Sequence, residues 1–187
     1  MKLSISIIGG SGAGKSTLAD SLIKWLRRFG FEVFSTSIGT CREIEFQRYK
    51  GRSRSETIAR RIENDAWKLL NQQLKSDCIV LFTSTGLNPK YNELAPDITI
   101  KLKCSPATAS KRATKDNGVG GSFIFETLYG VKTEDDFRKW ARASTLNANF
   151  MSANLTLHSR LPRRLNCLIA FLYVFGVIIN YKWTGKK

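Results

Sequence analysis

A glycine-rich stretch near the start of the chain has the spacing of a loop that binds phosphate. Residues 9–16 match the pattern G-x-x-x-x-G-K-[ST], the Walker A motif, with Lys15 and Ser16 at its end. Glycines let backbone N–H groups turn inward and approach phosphate oxygens, while the lysine reaches the β- and γ-phosphates of a nucleotide. The hydroxyl after the lysine can bind Mg²⁺. The residues predicted to bind the nucleotide are Gly9, Gly10, Ser11, Gly12, Ala13, Gly14, Lys15, Ser16 and Thr17.

The residues on either side of this loop predict the strand and the helix that a phosphate-binding loop needs. The apolar run 3–8 precedes the loop. The apolar residues that follow it at helical spacing are Leu18, Leu22, Ile23 and Leu26. A helix that begins at the loop points the positive end of its dipole at a bound phosphate. A G-x-G-x-x-G dinucleotide fingerprint is not present, because counting from Gly10 its last position is Lys15.

The rest of the chain alternates apolar runs with helical patterns, which is typical of a parallel sheet covered by helices on both faces. The predicted strands are residues 2–8, 32–36, 78–83, 97–104 and 155–158. The predicted helices cover residues 16–29 and 55–75, begin again at 105–106, and resume from 133 to about 147. Glycines at 118, 120 and 121 predict a mobile loop. We therefore predict an α/β protein with a three-layer P-loop NTPase fold and about five parallel strands.

Length and charge limit the class of protein. A chain of 187 residues with 24% charged and 42% hydrophobic residues is typical of one folded domain and excludes a disordered chain. The 30 Lys and Arg outnumber the 15 Asp and Glu, so the formal charge is +15. Such a chain attracts polyanions, which include nucleotides, nucleic acids and acidic membrane surfaces. No nucleic-acid-binding motif is found, so nucleic acid is not the favoured partner.

The cysteines and the first residues indicate where the protein works. Cys41, Cys78, Cys104 and Cys167 lie far apart and do not have the spacing of a zinc site. Unpaired thiols in and beside strands favour a reducing compartment. Met1 and Lys2 lead directly into the first strand, so we expect no cleavable signal peptide. The predicted location is therefore cytoplasmic.

The last segment of the chain admits two interpretations. Residues 165–179 are apolar apart from Asn166, with arginines before them and lysines after them. A helix of that length spans about 22 Å, which is shorter than the roughly 20 residues that usually cross a bilayer. The segment is either a closing helix packed on the sheet or a helix that contacts a membrane or another subunit, through residues 165–183. We divide the chain into a P-loop domain, residues 1–160, and a basic, apolar C-terminal helix, residues 161–187.

In the order of its elements the chain resembles the nucleoside monophosphate kinases, most closely the short cytidylate kinase-like proteins. The resemblance covers nearly the whole chain as an arrangement, and the specific motif agreement lies at the phosphate loop. It implies transfer of the γ-phosphoryl group of ATP, with Mg²⁺, to a nucleoside monophosphate. It also implies an acceptor-binding segment at about 37–75 and a lid at about 112–142.

The resemblance assigns arginines to the acceptor. Residues 37–43 are similar to the family's monophosphate-binding segment, which places Arg42 on the acceptor phosphate and makes Arg48 a second choice. A planar guanidinium suits this role because it binds phosphate through two hydrogen bonds.

The resemblance also assigns the cations that act on the transferred group. Together with Lys15, the expected catalytic residues are Arg112, at the start of the lid, and Arg138 and Arg142, one helical turn apart beyond it. Lys111 and Lys115 lie beside Arg112. Such cations stabilise the charge on a transferring phosphoryl group, as arginine fingers do.

The chain departs from the family at the end of the third strand. An acidic residue and an arginine are expected there, but residues 81–86 read Leu-Phe-Thr-Ser-Thr-Gly. Asp20 and Asp97 are the nearest acids in sequence order, and neither has the right place in the pattern. No Ser, Cys or acidic residue stands at a spacing from His158 that would indicate a catalytic pair, so a role as general base is not favoured. The alternative function is therefore a nucleotide-binding regulatory protein with little transferase activity, which docks on membrane or nucleic acid through its basic tail.

Overall fold

The structure is a computed structural model that describes residues 1–113 and 118–184. The described elements are, in chain order, β1 (Leu3–Ile8), α1 (Lys15–Arg28), β2 (Val33–Ser37), α2 (Ile38–Arg48), α3 (Glu56–Gln73), β3 (Ile79–Ser84), α4 (Lys90–Leu94), β4 (Ile98–Lys103), α5 (Pro106–Arg112), α6 (Gly118–Tyr129), α7 (Glu134–Phe150), β5 (Leu155–His158) and α8 (Arg163–Thr184). Lys115, which was assigned to the lid, and the terminal lysines 186 and 187 lie outside the described residues.

The described strands form one parallel sheet in the order β2-β3-β1-β4-β5. In its centre, Ile5 of β1 lies opposite Leu81 of β3 and Ile98 of β4. Because all strands run the same way, the loop after β1 and the residues after β3 meet at one edge of the sheet, where α/β proteins bind ligands. The predicted α/β fold with five parallel strands is confirmed.

Two helical layers cover the sheet. On one face, α1 and α8 bury their apolar residues, including Leu22, Leu26 and Val174, against β1 and β4. On the other face, α3 buries Trp67 and Leu70 with side chains of β3 and α2. The apolar stripe predicted after the phosphate-binding loop therefore forms the core contact of α1.

Several predicted helix starts are confirmed by their caps. The hydroxyl of Ser55 accepts a hydrogen bond from the backbone N–H of Ile58 at the start of α3. Thr133 and Asp136 form a reciprocal capping box at the start of α7. These bonds satisfy N–H groups that lack partners in the first helical turn.

The structure corrects the loop predicted from Gly118, Gly120 and Gly121, because α6 begins at Gly118 and continues to Tyr129. Its apolar residues pack on neighbouring elements: Ile124 is fully buried beside Ile62 of α3. Tertiary packing of this kind outweighs the poor helix propensity of glycine.

The C-terminal helix is longer than predicted. α8 has 22 residues rather than fifteen, since its first turn includes Arg163 and its last includes Lys182. Among the described residues, this is the one helix whose length and apolar composition would allow it to cross a membrane. One face is buried in the core through Cys167, Phe171 and Val174. The helix therefore packs on the sheet layer, as one of the two interpretations expected.

Candidate active site

The glycines of the phosphate-binding loop are required by close packing and by backbone geometry. A Cβ on Gly10 would collide with Thr145 of α7, and a Cβ on Gly12 would collide with the backbone of Ala109 in α5. Gly12 and Gly14 have φ values of 80° and 95°, a region that side chains disfavour. Gly14 is also the N-cap residue of α1. The loop is thus shaped by its glycines and supported from behind by α5 and α7.

Lys15 lies across this loop. Its Nζ donates a hydrogen bond to the carbonyl oxygen of Gly10 at 2.9 Å. Burial lowers the pKa of Lys15 from 10.5 to about 8. A partly buried ammonium with few counter-charges is primed to bind an anion, because a nearby negative charge restores the preference for the protonated form.

A cleft of about 610 Å³ opens beside the loop, and we call it the loop cleft. Its described lining consists of Ser11, Gly12, Ala13, Gly14, Lys15, Ser16, Thr17, Leu18, Leu102, Arg112, Ser159, Leu161, Arg163, Asn166 and Cys167. Three parts of the chain meet here: the loop, the end of α5, and the turn between β5 and α8. The cleft has the size of a small-molecule ligand site.

A second space of about 330 Å³ lies on the other side of Lys15, and we call it the aromatic pocket. Its described lining consists of Ser11, Lys15, Ser37, Ile38, Gly39, Arg42, Trp67, Thr83, Ser84, Thr85, Leu87, Asn88, Pro89, Phe125, Tyr129 and Trp140. Ser11 and Lys15 line both spaces. The two spaces therefore meet at the phosphate-binding loop.

A buried carboxylate organises the wall of the aromatic pocket. Glu63 of α3 accepts hydrogen bonds from Nε and Nη2 of Arg42, at 2.6 and 2.8 Å. It also accepts from the indole N–H of Trp67 at 2.9 Å and from the side-chain amide of Asn88 at 3.2 Å. Burial by itself raises the pKa of Glu63, but the hydrogen bonds and charge of Arg42 outweigh it, so the pKa lies below its usual value. Glu63 is therefore ionised at neutral pH.

This network fixes Arg42 at the pocket. The guanidinium carbon lies 5.7 Å from the centre of the Phe125 ring, and the residue is 9% exposed. Since Glu63 takes Nε and one hydrogen of Nη2, the guanidinium keeps further N–H groups for a ligand. Tyr129 lies beside the network; burial, followed by the negative charge of Glu63, raises its pKa. Arg42 thus lines the aromatic pocket, and its role in binding the acceptor phosphate stays a prediction.

Arg48 is not placed at this pocket. It pairs with Glu45 at 2.7 Å, its side chain is largely exposed, and it lines a separate depression with Tyr49 and Asp65. The prediction that Arg48 binds the acceptor therefore has no support from its position. The reason is periodicity: α2 turns Arg42 inward, whereas Arg48, six residues later, lies on the solvent side.

The expected lid cations divide into two groups. Arg112, at the end of α5, lines the loop cleft. Arg138 and Arg142 are exposed on α7, and neither is in the described lining of the loop cleft or the aromatic pocket. Arg138 instead lies 3.7 Å from Glu134 and 4.0 Å from Asp135. Catalytic roles for Arg138 and Arg142 stay predictions.

Neither Asp97 nor Asp20 is in the described lining of the loop cleft. The carboxylate of Asp97 accepts hydrogen bonds from the backbone and hydroxyl of Ser4, both at 2.8 Å, at the opposite end of the strands. Asp20 is exposed in the middle of α1. At the end of β3, hydroxyl residues stand in place of an acid: Thr83, Ser84 and Thr85 line the aromatic pocket. Within residues 1–113 and 118–184, no cluster of three or more His, Cys, Asp or Glu could hold a metal.

Ser16 fits the binding of Mg²⁺ through its hydroxyl, since it lines the loop cleft directly after Lys15. Magnesium commonly takes few protein ligands and completes its shell with water and phosphate oxygens. His158 ends β5 and is not in the described lining of either space, although its carbonyl accepts a hydrogen bond from Asn166, which lines the loop cleft.

Sequence reasoning missed much of the aromatic pocket. Glu63 and Trp67 lie one helical turn apart on the apolar face of α3, and a carboxylate within such a stripe is a signal of a buried partner. Phe125 and Tyr129 lie in the segment predicted as a loop, so nothing in the sequence indicated that they line the aromatic pocket. Trp140 belongs to α7, whose helix was predicted but whose contacts were not.

Solved structures of other proteins share this architecture. No family model matches the sequence, and no curated protein matches it. A gluconokinase from Sinorhizobium meliloti 1021 superposes with a TM-score of 0.57 and 12% identity, over 99% of this chain and 98% of that one. A shikimate kinase from Acinetobacter baumannii, in complex with shikimate, superposes with a TM-score of 0.54 and 19% identity, over 93% and 94%. The chain has the fold of the P-loop kinases. The loop cleft and the aromatic pocket thus lie around the P-loop of this fold.

Proposed function

We propose that this protein is an ATP-dependent phosphotransferase that acts on a small acceptor molecule. The observation that carries the proposal is that Ser11 and Lys15 line both the loop cleft and the aromatic pocket. A triphosphate in the loop cleft would therefore place its γ-phosphoryl group at the entrance to the second space. Phosphoryl transfer requires this in-line positioning and charge neutralisation more than it requires covalent chemistry from the protein.

The loop cleft is assigned to ATP. The loop backbone would hold the phosphates, and Lys15 would neutralise charge on the β- and γ-oxygens. Arg112 and Leu161, which both line the cleft, would offer a cationic plane and an apolar contact for the base. Ser16 is the residue that would hold Mg²⁺, and the metal would supply positive charge that neutralises the phosphates. Catalytic roles for Arg138 and Arg142 rest on the family resemblance, because neither residue is in the described lining of the two spaces.

The aromatic pocket is assigned to the acceptor, for which we propose a nucleoside monophosphate. The free N–H groups of Arg42 would bind its phosphate, and the rings of Trp67, Phe125 and Trp140 offer faces on which a base can stack. Hydroxyls of Ser37 and Thr85 can orient a ribose. The charge of Arg42 is already balanced by Glu63, so the phosphate must depend on Lys15 as well.

The test is release of ADP from ATP with Mg²⁺, in the presence of CMP, dCMP, UMP, AMP, GMP or dTMP. Gluconate and shikimate serve as acceptors without a base. Acceptor-dependent release with a nucleotide, lost in Lys15→Ala, supports the full proposal. ADP release with only gluconate or shikimate would support the phosphotransferase activity but would contradict a nucleoside monophosphate as the acceptor. Normal ATP affinity with no acceptor-dependent release from any compound would overturn the transferase and favour the regulatory alternative.

A further inference from the structure

Helix α8 is apolar on two opposite faces. One face is buried in the core, through Cys167, Ala170, Phe171, Val174 and Ile178. The other face is exposed to solvent, and its residues recur at helical spacing: Leu165, Leu168, Leu172, Ile179 and Trp183. Leu172 is 57% exposed and Trp183 is 87% exposed. With 22 residues the helix is about 33 Å long, so this outer stripe runs along much of one side of the domain.

Helix α1 widens the exposed apolar stripe. The ring centres of Trp25 and Phe29 lie 5.1 and 5.0 Å from that of Phe171, and both residues are themselves exposed. A groove of about 520 Å³ separates the two helices and is lined by Ser21, Trp25, Arg163, Arg164, Cys167 and Leu168. We call the combined face, formed by Trp25, Phe29 and the outer stripe of α8, the α1–α8 surface. Large contiguous apolar faces of this kind mark sites of interaction.

Cations surround the α1–α8 surface. Exposed basic residues lie at the end of α1 and at both ends of α8: Lys24, Arg27, Arg28, Arg160, Arg163, Arg164 and Lys182. The sequence has no Asp or Glu after Asp136, so the described part of α8 carries no acid. The exposed acid on α1 is Asp20. A partner for this surface must therefore be apolar in its interior and negatively charged at its edge.

We infer that the α1–α8 surface docks on a bilayer that contains anionic phospholipid, with α8 lying in the plane of the interface. The outer leucines would enter the boundary between headgroups and acyl chains, while the surrounding cations meet lipid phosphates and carboxylates. Trp25 and Trp183 have the amphipathic side chain that is enriched at this depth. This inference does not rest on the proposed phosphotransferase activity.

The packing of α8 decides its orientation. A helix that crossed the bilayer would have to leave the domain and withdraw Phe171, Val174 and Ile178, which are at most 4% exposed, from the core. The apolar residues of α1 and the sheet that they cover would then face water. A helix that lies on the bilayer keeps these contacts and buries only the outer stripe. Interfacial binding is therefore the arrangement that leaves the packing of the hydrophobic core unchanged.

The charge distribution distinguishes lipid from other occupants. A second copy of the chain would bring two rings of cations together, and like charges across an interface oppose association. A nucleic acid would satisfy the cations but would leave Leu168 and Leu172 against a polar backbone. An anionic bilayer satisfies both the apolar stripe and its cationic rim.

The experiment is flotation of the full chain with vesicles of phosphatidylcholine alone, or with about 30% phosphatidylserine added. We expect the protein to float with the anionic vesicles and at least about tenfold less with neutral ones. Leu172→Gln removes apolar contact, and Arg28→Gln with Arg164→Gln removes charge. Both variants should bind the anionic vesicles more weakly than the wild type. For the charge variant we expect a loss of about fivefold in affinity per cation removed. Raised salt should weaken binding further.

Matched controls lie outside the α1–α8 surface. Phe150→Gln changes an apolar residue of α7 that is 83% exposed, and Arg60→Gln changes an exposed cation of α3. Both should bind vesicles as the wild type does, and thermal unfolding should show all variants to be folded. Equal binding of Leu172→Gln and wild type, or no flotation of the wild type, would overturn the inference. A wild-type dimer that becomes monomeric in Leu172→Gln, without vesicle binding, would assign the surface to a second copy instead.

Discussion

The guanidinium of Arg42 and the carboxylate of Glu63 form a two-nitrogen ion pair, at 2.6 and 2.8 Å, in the wall of the aromatic pocket. Both side chains are almost completely shielded from solvent. Glu63 of α3 accepts hydrogen bonds from Arg42 of α2 and from Asn88 after β3, and also from Trp67 of its own helix. The pair thus fixes three parts of the chain around one ligand-sized space and sets the charge of its wall.

Removal of one partner should be costly to the fold. Arg42→Ala would leave Glu63 buried without its counter-charge, and we expect the free energy of unfolding to fall by about 3–5 kcal/mol. The matched control is Arg60→Ala, which breaks the exposed pair with Glu56 and should change stability by less than about 1 kcal/mol. Urea denaturation followed by circular dichroism measures both. Equal effects of the two variants would show that the buried pair contributes no more than a surface pair.

A conservative change at the same residue tests its contact with the acceptor. Arg42→Lys keeps the positive charge but loses the fork that serves Glu63 and a ligand together. We expect the acceptor KM to rise by at least about tenfold, with a smaller change in the KM for ATP. Arg48→Lys, which lies outside the pocket, should leave both KM values unchanged. If Arg42→Lys raised both KM values equally, Arg42 would not be an acceptor residue.

Nucleotide affinity should depend on the protonation of Lys15. Burial lowers its pKa to about 8 in the free protein, and a bound phosphate would raise that pKa. Binding therefore favours the protonated form, so affinity is full below pH 8 and is lost as the pH rises through this value, by up to about tenfold per unit. Calorimetric titration with ATP measures this change. In Lys15→Arg, whose guanidinium stays charged, the affinity should no longer fall over the same range; an unchanged slope would assign the titration to another group.

The parts of this site that could be predicted from the sequence are those whose patterns lie within a short stretch of the chain. The P-loop, α1 and the five parallel strands were predicted because glycine spacing and apolar periodicity act within a few residues, whereas the order of the strands in the sheet was not predicted. The pair of Arg42 and Glu63 joins residues 21 positions apart, and only packing of α2 on α3 brings them together. The wall formed by Phe125 was missed because the glycines before it favour a loop in isolation, whereas contacts with α2 and α3 stabilise α6.

The packing of α7 behind the P-loop predicts a strict need for glycine at one position. Gly10→Ala would force its new Cβ into Thr145, which is fully buried. We expect a loss of about 1–3 kcal/mol in unfolding free energy and a marked loss of ATP affinity. Gly176→Ala is the control, because open space surrounds that position in α8 and alanine favours a helix. Wild-type ATP affinity in Gly10→Ala would contradict the placement of α7 against the loop.

The central claim is that ATP and the acceptor meet at Lys15, and transfer of labelled phosphate tests it most directly. ATP labelled in its γ-phosphoryl group would be incubated with Mg²⁺ and each nucleoside monophosphate, using wild type and Lys15→Ala. We expect the label in one nucleoside diphosphate with the wild type and in none with the variant. Label that appears only as inorganic phosphate, at a rate independent of the acceptor and unchanged in Lys15→Ala, would contradict it.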